Sequence, residues 1–204
     1  MKEKYIKDLE QIKDIMNRST RFISLSGFSG ISTGIIALAG VFIAYLTIYK
    51  DHNYLVYTAV QLKNEEVIKL LLIAIGTLVI SLAGAIIFTR HKTKKQNQSL
   101  WDIQTKRLLV NLLIPLVTGG LLTLMLLLNG FVGMLPSITL IFYGLALVNA
   151  SKYSLPEIKN LGLIEVLLGL LAFQFIDYAL HFWALGFGAF QIIFGILIQR
   201  KYSL

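Results

Sequence analysis

The chain has 204 residues, 56% of them hydrophobic, no cysteine and a formal net charge of +8, with a mean hydropathy of +0.71. Soluble domains are about 45 to 50% apolar, so an ordinary soluble domain is excluded; without cysteine, so are disulfides, thiolate nucleophiles and thiolate metal sites. Long unbroken apolar runs also exclude the alternating pattern of an outer-membrane barrel, which leaves a single helical bundle.

Residues 1–21 hold ten charges and no apolar core, so no cleavable signal peptide is expected. Tyr5, Leu9, Ile12 and Met16 recur at helical spacing, with Lys4, Asp8, Glu10, Lys13 and Asp14 on other faces. This segment is predicted to be a cytoplasmic amphipathic helix lying on the membrane or against a partner.

Six hydrophobic blocks follow, at roughly 23–49, 70–89, 108–128, 131–150, 161–179 and 182–199. Each is near the about 20 residues that cross a hydrocarbon core. They predict an all-α polytopic transmembrane bundle over 22–199, arranged as three hairpins, with a cytoplasmic tail at 200–204. From Leu108 to Ser151 there are 44 residues without a charge, and Asn129-Gly130 is the turn that divides them into two spans. Ser154, Pro156 and Glu157 read as a capping box opening span five.

The positive charge is one-sided. Sixteen Lys and Arg fall before span one, between spans two and three, between four and five, and after six; only Lys50, Lys63 and Lys69 lie on the other side. That bias predicts both termini in the cytoplasm and a cytoplasmic face that attracts anionic lipid headgroups. It argues against a nucleic-acid partner, whose binding would call for a basic surface on a folded domain.

Small residues mark helix packing. Ser26, Gly30 and Gly34 repeat every four residues in span one, and Ser29, Thr33 and Ala37 repeat on an adjoining face. Such faces admit a second helix at close range, within the bundle, in a homo-oligomer or in a complex with another membrane protein. Gly119, Gly120, Gly162, Gly169, Gly186, Gly188 and Gly195 extend the theme to later spans.

Few residues carry chemistry. Gly27-Phe28-Ser29-Gly30 has the form of the rhomboid intramembrane protease nucleophile motif, but a serine nucleophile needs a base in reach. Phe182 to Gln199 contains no histidine, so Ser29 reads as a packing residue. Glu165 is an acid about four residues inside span five, and a charge in a membrane calls for a partner. Asn111 and Asn149 belong to the same cytoplasmic third, and Arg18 or Arg21 comes from the N-terminal helix. Together with Glu165 they predict a polar cluster for a cation or a headgroup, or a structural hydrogen-bond network. Gln174, Asp177 and His181, spaced three and four apart, predict one polar face at the outer end of span five, with a pH-sensitive Asp177–His181 pair. His52 is the other histidine on that side. Gln191, near the middle of span six, is expected to hydrogen-bond between helices. No cofactor or metal set emerges.

Four strings carry a resemblance: Ser19 to Gly34 (STRFISLSGFSGISTG), Leu140 to Tyr153 (LIFYGLALVNASKY), Leu161 to Leu171 (LGLIEVLLGLL) and Trp183 to Gly195 (WALGFGAFQIIFG). They resemble a family of small six-span bacterial inner-membrane proteins with no established activity. The resemblance covers nearly the whole chain and implies a bacterial inner-membrane location. That family has histidine where this chain has Gln191, so no metal or proton role transfers to that position. The sequence thus leads to a non-enzymatic membrane interaction or regulatory component, with a small transporter or channel built around Glu165 as the alternative.

Overall fold

The computed structural model describes residues 26–50, 63–95 and 103–202. The expected N-terminal helix, with Arg18 and Arg21, and the outer-loop His52 lie outside the described residues.

Every regular element among the described residues is helical. Helix α1 (Gly27–Ala44) continues into a π-helical turn, Tyr45–Tyr49. Helix α2 (Asn64–Lys95) opens with Glu65 and Glu66, whose charges offset the positive end of the helix dipole. Glu66 also accepts the backbone N–H of Lys63 at 3.0 Å. With 32 residues, α2 is about 48 Å long at 1.5 Å per residue. Block 70–89 therefore marked only its apolar middle, and the polar ends extend the helix well past a hydrocarbon core of about 30 Å.

Helix α3 (Ile103–Leu128) contains Pro115. The chain then turns at Asn129-Gly130, where Gly130 takes a φ of 81° that residues with a Cβ rarely adopt. A 3₁₀ turn, Val132–Met134, leads into α4 (Leu135–Ala150), with Pro136 in its first turn. Helix α5 (Pro156–Gln174) begins on Pro156 at a position whose N–H would find no partner in any case. Helix α6 spans Ile176–Tyr202 and changes pitch along its length: a 3₁₀ turn, one α-turn (Ala179–Trp183), a π-helical stretch (Ala184–Phe190) and a final α-segment (Gln191–Tyr202).

Five segments are long and apolar enough to cross a membrane: Gly27–Tyr49, Asn64–Lys94, Ile103–Leu128, Val132–Tyr153 and Ile176–Tyr202. Helix α5 differs in carrying Glu157, Lys159 and Glu165 within 19 residues.

Two expectations need correction here. Ser154 does not cap α5: the N-cap is Leu155, no side chain caps the helix, and the Ser154 hydroxyl is buried without a partner. Pro156, fixed in the first helical position, sets the start there and draws Glu157 to the C-terminus of the chain instead. The end of α5 also comes earlier than the apolar block suggests. The chain leaves the helix at Phe175 (φ −114°, ψ 68°), and the flanking Ala172, Ile176 and Ala179 are buried so that the reversal is tightly packed. No glycine or proline marks this turn, so hydropathy alone ran through it.

Of the partners expected for the small-residue face of α1, the structure supplies a helix of this chain. Gly27, Gly30 and Gly34 lie against α6: a Cβ on Gly30 would sit 3.0 Å from the Gly195 Cα, and one on Gly34 would sit 2.9 Å from the Gly188 carbonyl. Ser26 and Ser29 are buried there too. This face is therefore not available to a second copy. Helix α1 packs on α2 along its other side. Helices α4 and α5 form the most extensive pairing, in which Gly144 and Gly162 bring the two backbones together. A Cβ at either position would approach the other's carbonyl to 2.6 or 2.7 Å. Helix α3 covers α4, and α6 runs between the α4–α5 pair and α1.

Candidate functional site: a buried carboxyl between three helices

Glu165 is the tenth residue of α5, counting from Pro156, and is completely buried. It lies deeper than the hydropathy blocks implied, because α5 starts earlier than its apolar block. Its carboxylate sits against Gly186 in the π-helical stretch of α6. A side chain at 186 would collide with Glu165 Oε2 and come within 2.6 Å of Leu140 Cδ2 from α4. Helix α6 has a glycine at this contact, and the acid occupies the volume that a side chain would fill.

Among the described residues neither carboxylate oxygen of Glu165 has a hydrogen-bond partner. An unpaired carboxylate with no solvent contact is among the costliest groups to bury. The neutral carboxylic acid is therefore the form this packing accommodates. No water-sized space touches the side chain, so in this conformation Glu165 lines no open cavity.

The expected cluster of Glu165 with Asn111 and Asn149 does not form. The two asparagines serve the backbone of α3. Proline has no N–H to give to the carbonyl four residues earlier, so Pro115 leaves the carbonyl of Asn111 without its helical donor. Asn149 Nδ2, from α4, donates to that carbonyl at 3.0 Å. Asn111 itself donates to the Arg107 carbonyl at 2.8 Å. Asn149 thus fastens α3 to α4 at the carbonyl that Pro115 leaves open, while the Asn111 side chain bonds within its own helix.

A different polar line leads away from Glu165. Tyr143 is one turn along α4 from Leu140, the α4 residue that meets Gly186 beside the Glu165 carboxyl. Gln191 Nε2 donates to the Tyr143 hydroxyl at 3.1 Å and to Thr33 Oγ1 of α1 at 3.4 Å. Gln191 thus bridges helices, as its position suggested. The Tyr143 ring packs on Phe187 with centroids 4.6 Å apart, and Phe187 on Trp183 at 4.5 Å. Trp183 Nε1 in turn donates to Thr139 Oγ1 at 3.0 Å. Sequence reading missed Tyr143, Thr139 and Trp183, because an aromatic in an apolar run carries no sign of which neighbour its polar atom meets. Spacing could have offered one clue: Leu140 and Tyr143 are three apart and share a helical face.

The outer trio is divided by the turn at Phe175. Gln174 ends α5, Asp177 lies in the 3₁₀ turn and His181 in the first α-turn of α6; all three are exposed. Asp177 and His181 form no ion pair with each other, and the His181 ring instead faces Tyr178 at 6.0 Å. Among the described residues no group of three His, Cys, Asp or Glu side chains comes together to hold a metal ion. Ser29 Oγ donates to the Ser26 carbonyl at 2.5 Å inside the α1–α6 contact, where it has no base.

No family model, curated protein or solved structure matches this chain.

Proposed function

We propose that this chain is a small six-span protein of the bacterial inner membrane, with both termini in the cytoplasm, that translocates protons through protonation and release at Glu165. Helix α5 is the remaining span. Its 19 residues cover about 28 Å at 1.5 Å per residue, its charged Glu157 and Lys159 fall in the first turn, and its exposed face carries Leu163, Leu167, Leu170 and Leu171. The sixteen-to-three distribution of basic residues supports the orientation.

The observation that carries the functional reading is Glu165: a fully buried acid, unpaired, facing a glycine in a π-helical stretch. Intramembrane acids are costly and mark ion and proton paths, and π-helical turns recur at functional sites because they can return to α-helical pitch with a one-residue shift. The closed packing corresponds to the protonated state of an alternating cycle, in place of an open polar cavity. This reading departs from the expected transporter with a polar cavity around Glu165, since it places the proton on a closed, buried carboxyl and needs an opening of the Glu165–Gly186 contact for release.

The test is proton flux in liposomes loaded with a pH-sensitive dye, with potassium and valinomycin to balance charge. Wild-type protein is expected to collapse an imposed pH gradient, and Glu165→Gln to slow the collapse about tenfold or more, as loss of a proton-transfer group does. Decay at the protein-free rate, or an unchanged rate in Glu165→Gln, would overturn the reading.

A further inference from the structure

We infer that Tyr143 is the residue that receives Glu165 in its ionised form, donating its hydroxyl to the carboxylate, and that Gln191 and Thr33 carry this change to α1. The inference rests on the proton-translocation reading and names how the same site is regulated.

Donor and acceptor accounting supports it. A tyrosine hydroxyl can donate one hydrogen and accept others. Tyr143 Oη accepts from Gln191 Nε2, which leaves its own hydrogen uncommitted. Thr33 is in the opposite position: its hydroxyl donates to the carbonyls of Ser29 and Gly30 in its own helix, both at 2.9 Å, and accepts from Gln191. The single uncommitted hydroxyl hydrogen of this line is therefore at the end nearest Glu165. The carboxyl and Leu140 share the surface of Gly186, and Tyr143 follows Leu140 by one helical turn. A rotation of the Glu165 side chain away from Gly186 along α4 brings an oxygen toward that hydroxyl.

Among the described residues the neighbouring helix segments offer no acidic or basic partner; of the α4 hydroxyls, Ser137 is also buried and unpaired one turn before Leu140, but only Tyr143 is joined to Gln191 and through it to Thr33. Helix α4 carries no Asp, Glu, Lys, Arg or His between Val132 and Ser151, α6 none between Phe182 and Gln199, and α1 none between Ser26 and Tyr49. On α5 itself Glu157 and Lys159 are more than one turn away from Glu165. An ionised Glu165 without a donor would be prohibitively costly at this depth, so a positioned hydroxyl makes the deprotonated state accessible. The rotation that takes the carboxyl off Gly186 opens that contact to a water molecule, which takes the proton lost by the carboxylic acid. Tyr143 keeps its own proton and shares it as a hydrogen bond, and no other bond forms or breaks.

Because Gln191 Nε2 holds Tyr143 and Thr33 at once, drawing the phenol toward Glu165 pulls on the contact between α6 and α1. The close approach of Gly30 and Gly34 to the backbone of α6 at Gly195 and Gly188 transmits that displacement. Tyr143 is thus a positioning residue that acts through Glu165.

The experiment pairs proton flux with infrared difference spectra between low and high pH, for wild-type protein in liposomes and the variants Glu165→Gln, Tyr143→Phe and Gln191→Leu. Expected are a carboxylate band that appears on ionisation, a simultaneous change in a tyrosine phenol band, and loss of both in Glu165→Gln. Tyr143→Phe should slow flux about tenfold and shift the carboxylate band, and Gln191→Leu should slow flux less. If Glu165→Gln has no effect, the proton-translocation reading itself fails. If Glu165→Gln stops flux but Tyr143→Phe changes neither the rate nor the band, this inference alone fails. Should Tyr143→Phe not fold, the wild-type phenol band decides: no phenol change on ionisation of Glu165 refutes the inference.

Discussion

Asn149→Ala should destabilise the protein, and Pro115 should determine by how much. Pro115 withholds the helical hydrogen bond from the carbonyl of Asn111, and Asn149 Nδ2 replaces it at 3.0 Å from the neighbouring helix. Hydrogen bonds between membrane helices average about 0.6 kcal/mol and reach about 1.7, whereas a buried carbonyl left unmatched costs about 1 to 3 kcal/mol. Asn111 and Asn149 are both partly buried, so the lower end applies and Asn149→Ala should cost about 1 to 1.5 kcal/mol. In Pro115→Ala protein the N–H returns, the Asn111 carbonyl regains a partner within α3, and the same Asn149→Ala change should cost less than about 0.5 kcal/mol. The coupling between the two sites is then about 0.5 to 1.5 kcal/mol, a size that double-mutant cycles resolve for residues sharing a partner. Equilibrium unfolding in mixed micelles, followed by helical circular dichroism for the four proteins, measures it. Equal costs of Asn149→Ala in both backgrounds would refute the assignment of Asn149 to the carbonyl that Pro115 exposes.

Two further outcomes are expected. Gly186→Ala adds a methyl where Glu165 Oε2 and Leu140 already stand and should cost about 1 to 3 kcal/mol from overpacking. Gly120→Ala, with nothing within 4 Å of the new Cβ, should be neutral or stabilising by up to about 1 kcal/mol; matching melting temperatures for the two variants would contradict the packing at Glu165. Glu157, in the polar first turn of α5, meets Lys201 Nζ at 2.6 Å and the Tyr202 hydroxyl at 3.2 Å. Burial pushes the Glu157 carboxyl up, but the hydrogen bonds from Lys201, from its own backbone and from Tyr202 outweigh burial and hold it below the usual carboxylate range. A depressed carboxyl stabilises the fold above its unfolded value of about 4.3, and that contribution fades as acidification protonates it in the folded state. Melting temperature should therefore fall between neutral and acid pH by more in wild-type protein than in Glu157→Gln, and an equal fall in both would remove Glu157 from the account.

The sequence by itself determined the class of this protein and those turns that glycine or proline marks. Apolar runs of about 20 residues have to bury their backbone polar groups by hydrogen-bonding within each segment, and that forces helices without any knowledge of their neighbours. Pro156 and Asn129-Gly130 act through local backbone geometry, so their effects are visible locally, and small residues at four-residue spacing announce close packing before the partner helix is known.

Only the tertiary structure decided which surfaces meet. Ser26, Gly30 and Gly34 suit a helix of this chain as well as one of another, and the choice of α6 depends on Gly188 and Gly195, more than 150 residues away. The same holds for the polar atoms. Glu165, Asn111 and Asn149 fall in the same cytoplasmic third of their apolar blocks, which suggested one cluster, but position along a block leaves rotation about each helix axis undetermined. Rotation turned Glu165 toward Gly186 and Leu140, and gave Asn149 to the carbonyl released by Pro115. Tyr143, Gln191 and Thr33 are separated in sequence by 48 and 158 residues from one hydrogen-bonding step to the next, and no periodicity within a single helix records such distances. Where a constraint acts between neighbours along the chain it could be read from residues; where it acts between helices it required the bundle.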